Sequence, residues 1–381
     1  MPLTDISPLP KIDLLLPSKE RFTAKNAGAI SGVVRDLVMS STASAAYRIV
    51  GTAVDTPLEC PSFLGVKPAS KWSFMGLFKG TNIATAAAYL RTIASGPAPS
   101  MIEVHSRCHV AKYIAKKRPD IPVVLYLHND PRDMKGAKTN AERAVLLVKL
   151  AGVICVSDYI KGCFLDGLDK TAPEAEKVGV ARNGAERWLS QQPEKQPFIL
   201  LAGRMVPEKG ILECATAIAT VLAKYPEWKL VIAGARRFEE AARGSYEEKI
   251  AKAIAPLGDR AEMRGFIPIE QIRELQAAAA ISACPSLWDD PMPKAVLEGL
   301  AAGCALLTTR RGGIPEAAEG RAHIVDDPTI QSFTAALEQM IGDDTYRKSL
   351  QDKAWNDFPF PATKMAHDAD LLRAKILTAK L

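Results

Sequence analysis

The sequence predicts an α/β protein built as two domains, each with a parallel sheet. Three observations carry that expectation. At 381 residues the chain is long for a single core, and two domains of ordinary size suit it better. Short apolar runs alternate with helix-like stretches through the first half, the pattern of β-α-β units. The same alternation then restarts at Phe198, after a polar stretch at 189–196 that reads as a linker.

Composition narrows the class. The chain is 48% hydrophobic and 24% charged, which is globular rather than disordered. No run of about 18 apolar residues occurs. Residues 1–10 have neither a basic nor an apolar leader pattern, so no signal peptide is expected. The seven cysteines, at 60, 108, 155, 163, 214, 284 and 304, show no C-x-x-C spacing and are expected as reduced thiols of a cytoplasmic protein. The net charge of +6 is uneven: residues 1–190 carry 25 Lys and Arg against 17 Asp and Glu, and 191–381 carry 24 against 26. A basic first half suits an anionic partner or membrane surface, or is an ordinary solvated face. Nothing points to nucleic acid.

Taken in order, residues 11–17 read as a buried strand, followed by a loop bearing Gly28 and Gly32 and a helix over 33–46. Strand, glycine loop and helix is the layout of a phosphate or sugar site, but the G-x-G-x-x-G spacing is absent. Gly28 is therefore either a ligand-facing glycine or a helix-start glycine. Residues 47–100 fit short strands and helices and carry no nameable chemistry. A strand at 101–105, a helix at 108–117 and a strand at 121–127 follow. His105 and His128 stand at the ends of those two strands, where ligands gather in parallel sheets. Either histidine could equally be structural. Asp130 suits a cap of the next turn. A helix at 140–150, a strand at 153–157 and the stretch 178–181 lead to Arg182-Asn-Gly-Ala185.

In the second half, a strand from Phe198 runs into Gly203-Arg-Met-Val-Pro-Glu-Lys-Gly210 and a helix at 211–224. Arg204 and Lys209, five apart between strand and helix, can close on one diphosphate, the first as a fork and the second as a point charge; a solvated basic turn is the alternative. A strand at 228–234 precedes Arg236 and Arg237, whose contact with ligand stays open. The strand and turn at 261–267 puts Phe266 and Ile267 either against a base or in the core. A helix at 270–279 and a strand at 281–286 lead to Asp290-Pro-Met-Pro-Lys-Ala-Val-Leu-Glu298. The prolines place Asp290 in a loop and a helix from Lys294 onward, with Glu298 one to two turns in. Backbone amides at that helix start and two carboxylates suggest a pocket for a sugar bearing a phosphate. A surface turn with one paired Glu is the plainer alternative. A strand at 322–325, helices at 329–341 and 345–355, a Phe-Pro-Phe-Pro break and a last helix at 362–380 complete the chain.

These strings resemble the family 4 retaining glycosyltransferases of GT-B fold. The family's Glu-x-Phe-Gly-x-x-x-x-Glu-Ala-x-Ala-x-Gly is similar to 290–303 here, with Asp290 for the first Glu, Met292-Pro293 for Phe-Gly, and Glu298 for the second Glu. Gly312-Gly-Ile-Pro-Glu316, the Gly-Arg-x-x-x-x-Lys-Gly element at 203–210 and the Val124-Leu-Tyr-Leu-His-Asn-Asp-Pro run complete the likeness, and the last resembles spore-coat and lipopolysaccharide-type members. The resemblance implies two Rossmann-like domains facing across a cleft, and a C-terminal helix crossing back to the first. It implies an acceptor-binding domain at 1–190, a nucleotide-sugar domain at 191–358 and the returning helix at 359–381.

It further implies a retaining, metal-independent hexosyltransferase moving sugar from a UDP- or GDP-linked co-substrate to a saccharide or glycolipid acceptor, in surface polysaccharide or lipopolysaccharide synthesis. Its implied place is the cytoplasm, including the inner face of an anionic membrane, and no further cofactor or metal is implied. Carried over residue by residue, Gly28, Gly203, Arg204, Lys209, Phe266, Ile267, Asp290, Met292, Pro293, Lys294, Ala295 and Glu298 would face the donor. His105 and His128 would face the acceptor. His128, Asp290, Arg204 and Lys209 would take part in catalysis. Asp290 is shorter than the family's Glu by one methylene, and Pro293 lacks an N–H that the family's Gly supplies. Those departures leave open a catalytically lapsed binding subunit. A different enzyme class on a similar fold, an epimerase or phosphorylase, fits the Arg–Lys–carboxylate set less well.

Overall fold

The computed structural model describes residues 9–23, 28–68, 80–235 and 245–379. Arg236 and Arg237 lie outside the described residues. The chain divides into two compact units, 1–183 with 362–381, and 184–361.

In the first unit the elements run β1 (Ile12–Leu15), α1 (Ala29–Met39), β2 (Tyr47–Thr52), β3 (Phe63–Val66), α2 (Thr81–Ala94), β4 (Met101–His105), α3 (Cys108–Lys117), β5 (Val123–Leu127), α4 (Asn140–Lys149), β6 (Gly152–Cys155), α5 (Asp158–Leu165) and β7 (Val178–Val180). The strands form one sheet in the order β3-β2-β1-β4-β5-β6-β7, all parallel. β1, β4, β5 and β6 are buried at every position. Apolar runs without alternation are what a sheet covered on both faces demands.

The second unit contains β8 (Gln196–Ala202), α6 (Ile211–Leu222), β9 (Lys229–Ala233), α7 (Ser245–Ile254), β10 (Ala261–Gly265), α8 (Ile269–Ala278), β11 (Ala279–Cys284), α9 (Lys294–Ala301), β12 (Ala305–Thr309), α10 (Ile314–Ala318), β13 (His323–Val325), α11 (Ile330–Gly342) and α12 (Asp344–Asn356). Its sheet is β10-β9-β8-β11-β12-β13, again all parallel. Counted from its own first strand, each sheet begins 3-2-1-4-5-6, the doubly wound order, and the first adds a seventh strand at the edge. In that order the connections leave in opposite directions between strands 1 and 4, and ligands bind at the carboxyl ends there. In this chain those points are β1/β4 and β8/β11.

The last helix, α13 (Ala362–Thr378), belongs to the first unit. Ala362, Met365 and Ala369 enter that unit's core, with Leu372 and Ile376 packed beside it. A Cβ on Gly152 would lie 2.4 Å from Ile376 Cδ1, so glycine at the start of β6 lets the helix approach.

One expectation needs correction. The first helix spans Ala29–Met39 and not 33–46. Ser41 Oγ accepts from the Ala43 amide at 2.9 Å, a local bond that competes with helix continuation. Residues 47–100, unassigned from sequence, contain β2, β3 and α2; β3 is four residues long and mostly half-exposed, which weakens its apolar signature. All seven cysteines are unpaired.

Candidate active site

At the carboxyl end of β8 the chain turns through Gly203 and Arg204 into one 3-10 turn, Pro207–Lys209. Gly210 then takes φ +65°, and a Cβ there would meet the Pro285 carbonyl at 2.0 Å. Only glycine lets this loop press on the loop that leaves β11. The Leu287 amide donates to the Glu208 carbonyl at 2.9 Å and clamps the two loops together. They are the loops at the β8/β11 switch point.

The clamp brings Lys209 to Asp290. The Lys209 ammonium pairs with the Asp290 carboxylate and lies 5.6 Å from the Trp288 ring centroid. Asp290 is only 5% exposed. Its backbone is fixed at both ends: its amide donates to the Trp288 carbonyl and its carbonyl accepts from Gly313, each at 2.8 Å. Gly312, at φ +55°, would place a Cβ 2.4 Å from the Asp290 carbonyl oxygen. The Gly-Gly-Ile-Pro-Glu string is thus the brace of the Asp290 loop. Arg204 is exposed, and its guanidinium has no side-chain partner among the described residues. Gly203 is also exposed, and its amide donates to the Ala233 carbonyl at 2.9 Å.

Pro293 caps α9. Its carbonyl takes the Val296 and Leu297 amides at 3.2 and 3.5 Å, so those two amides are already bonded. The Met292 side chain is core, packed with Val296, Leu297 and Leu300, and Ala295 packs against the same cluster. Any contact of Met292 with ligand falls to its backbone. Lys294 Nζ donates to the Gly184 carbonyl at 3.0 Å. Glu298 is half-buried and accepts from Gln276 Nε2 at 3.4 Å. Gln276 is buried and its Oε1 has no partner. After β10, Phe266 is 48% exposed. Ile267 packs beside Trp188 and Ile272 and leans to the core reading.

In the first unit, His105 ends β4 and His128 follows β5. The two rings meet, Nδ1 of His105 standing 2.8 Å from Nε2 of His128, and both stack against Tyr126. His105 is fully buried and His128 is 8% exposed. Burial pushes the His128 pKa well below its usual value, so its ring is neutral. Ser106, at φ +47°, is in the left-handed region that non-glycine residues seldom use, and its hydroxyl accepts the His128 amide at 3.0 Å. His105 Nε2 lies 3.1 Å from Glu103 Oε1, close enough to pair though bent from a straight hydrogen bond.

Gly28 stands at the start of α1, but the anion at that helix start is the chain's own Glu20. Its carboxylate accepts from the Ser31 amide at 3.3 Å and would lie 1.9 Å from a Cβ on Gly28. Burial raises the Glu20 pKa. Asp130 caps the turn after β5 through the Arg132 amide at 2.8 Å.

The structure therefore gathers Gly203, Arg204, Lys209 and Asp290 on two clamped loops, and His105 with His128 in a separate pair. Glu103, Trp288 and Gln276, and Arg373, which donates to Glu103 at 2.7 Å, were not singled out by sequence. Glu103 alternates with His105 on β4, so a period-2 reading places both on one face; the others have no local signal.

Residues 184–357 match the family described as glycosyl transferases group 1. Bacillus subtilis YtcC is 28% identical over 254 residues, 61% of this chain and 60% of that protein. The lipopolysaccharide 1,2-N-acetylglucosaminetransferase of Salmonella typhimurium is 27% identical over 233 residues, 57% of this chain and 56% of that enzyme. The chain thus spans less than two thirds of these relatives' length. Anabaena HepE, solved in complex with UDP and glucose, superposes with a TM-score of 0.73 at 16% identity, over 97% of this chain and 100% of that one. Two doubly wound parallel sheets and these likenesses give the chain the GT-B fold, and its residues 184–357, which hold the clamped Arg–Lys–carboxylate loops, match the group 1 glycosyltransferase family.

Proposed function

We propose that the protein is a retaining transferase that moves a hexose from a nucleoside-diphosphate sugar to a saccharide or glycolipid acceptor. The observation that carries this reading is the loop clamp at β8/β11. It presents an exposed Arg204, with no side-chain partner among the described residues, on the same short loop as Lys209, which is held against Asp290.

Breaking the bond between sugar and diphosphate leaves negative charge on the departing phosphate. Arg204 offers a guanidinium fork and Lys209 an ammonium to that charge. Such preorganised donors act most where charge develops. Lys209 neutralises Asp290 in the free chain. An arriving diphosphate competes for Lys209 and releases the Asp290 carboxylate to accept from a sugar hydroxyl, at the 3- or 4-position. Glu298, oriented by Gln276, would accept from the ribose diol. Phe266, exposed beyond β10, offers a face to the base. His128 and His105 are assigned to the acceptor.

HepE is solved with UDP, which favours a UDP-linked donor. The name of the Salmonella relative favours a surface lipopolysaccharide or polysaccharide acceptor. The basic first half suits a pyrophosphate- or phosphate-bearing acceptor at an anionic membrane face. No helix among the described residues is long and apolar enough to cross a membrane.

A second reading, a binder that has lost transfer, is favoured by one feature: Pro293 cannot donate where the family's glycine does. A thermal-shift and hydrolysis panel separates the two, using UDP, GDP and ADP and their common sugars, with and without EDTA. Nucleotide at about 100 times its dissociation constant stabilises by about 2.7 kcal/mol. A shift with one nucleotide class and slow, EDTA-insensitive release of one sugar supports the transferase. A shift with no release, even with oligosaccharide acceptors added, supports the binder. No shift with any nucleotide contradicts both.

A further inference from the structure

Behind His128 runs a chain of buried polar groups. Arg373, on α13, donates to Glu103 through Nη2 at 2.7 Å and Nε at 2.9 Å. Its other nitrogen reaches the Tyr47 hydroxyl and Asp370 Oδ1, both at 3.1 Å. Asp370 also accepts from Ser41 Oγ at 2.6 Å and from the Tyr47 hydroxyl. Glu103, His105 and Arg373 have no exposed surface at all. Burial alone would raise the Glu103 pKa, but Arg373 and the His105 contact outweigh it and hold the carboxyl down at about 2.

The hydrogens along this chain follow from which atoms can donate. An arginine only donates, and an ionised carboxylate only accepts. His105 Nε2 faces that carboxylate at 3.1 Å, so it carries a hydrogen; a bare lone pair there would meet negative charge. In a neutral His105 ring, Nδ1 is then bare. It stands 2.8 Å from His128 Nε2, a distance that requires one hydrogen between the two nitrogens. His128 Nε2 supplies it. A neutral His128 is left with its lone pair on Nδ1. That atom has no hydrogen-bond partner among the described residues, and His128 keeps a small exposed surface while His105 keeps none.

Resting on the assignment of His128 to the acceptor, we propose that Glu103 and His105 are positioning residues. They fix His128 in its Nε2–H form, so that Nδ1 accepts a hydrogen bond from a substrate hydroxyl. Arg373 anchors the far end of the chain and ties the ring geometry to the last helix. Specificity follows: the group presented to His128 is a donor, such as a sugar hydroxyl, and not a carbonyl or an ether oxygen.

The test is nitrogen NMR on the full chain labelled with 15N-histidine, near neutral pH, with the His128 signals identified by their loss in His128→Gln. The expected spectrum shows a bare Nδ1 and a protonated Nε2 for His128. In Glu103→Gln the new amide can donate to His105 Nε2. That pushes the His105 hydrogen to Nδ1 and reverses His128 to its Nδ1–H form, with turnover down by about 100-fold or more and donor KM little changed. A wild-type His128 protonated on Nδ1 or on both nitrogens overturns the proposal. Should Glu103→Gln not fold, with Arg373 left short of a partner, the wild-type spectrum decides alone. Full turnover in His128→Ala would instead remove His128 from the transfer reading, and the wild-type spectrum would still report on the Glu103–His105 chain.

Discussion

Lys209 reaches Asp290 before any ligand arrives, and that pairing sets expectations for single residues. Lys209→Ala and Arg204→Ala should each cost transfer about 100- to 1000-fold, by removing a donor aimed at developing charge; steady-state hydrolysis of the donor measures this. Asp290→Glu restores the length usual in the family and should keep turnover while shifting sugar preference. If it abolishes binding in a folded protein, the view of Asp290 as a shortened motif carboxylate fails. The histidine pair gives a pH expectation. His128 is neutral in the folded chain because its pKa is lowered, whereas the unfolded ring titrates near 6.5. The unfolded state therefore binds the extra proton as pH falls below about 6.5. The contribution of His128 is fully present above that value and is lost below it, at about 1.4 kcal/mol per pH unit. His128→Gln should flatten the acid limb of a urea-midpoint profile by about one proton; an unchanged slope means the ring is not held neutral. At this scale the residues whose partners lie in short strings were legible from sequence. Lys209 and Asp290 each sit in such a string, but their pairing across 81 positions was not. Glu103 and Arg373 lie 270 residues apart in sequence and have no local signal at all.

At the scale of elements, glycine geometry and one buried ion pair decide most. Gly210→Ala adds a Cβ 2.0 Å from a carbonyl oxygen at φ +65°, so it should destabilise by roughly 1–3 kcal/mol and loosen the hold of Lys209 on Asp290. Denaturant midpoint and donor KM should both move; a neutral effect would mean the loop clamp is not as drawn. Arg373→Ala leaves Glu103 buried without its main partner and should cost about 3–5 kcal/mol. Strand runs such as Val123–Leu127 and helices such as Cys108–Lys117 were readable because their apolar periods are unbroken. The end of α1 was not, since a serine hydroxyl bonding two residues on decides it. The returning helix was expected from resemblance alone. What seats it is a glycine at 152 and an ion pair from its Arg373 to Glu103 on β4, and both partners lie far from the helix in sequence.

Over the whole molecule, two sheets of one strand order repeat without an internal sequence repeat. The order is set by apolar pattern and connection length, which vary freely in identity, so architecture was legible where exact residues were not. The transfer reading rests on Arg204 and Lys209 as the diphosphate site of the second unit. Calorimetric titration of UDP, with GDP and ADP alongside, into the wild-type chain and into Lys209→Ala tests it most directly. Saturable binding of one nucleotide class to the wild type is expected, with at least 10-fold weaker binding to the variant, about 1.4 kcal/mol or more. Equal affinity in both proteins, or no nucleotide binding by the wild type, would contradict it.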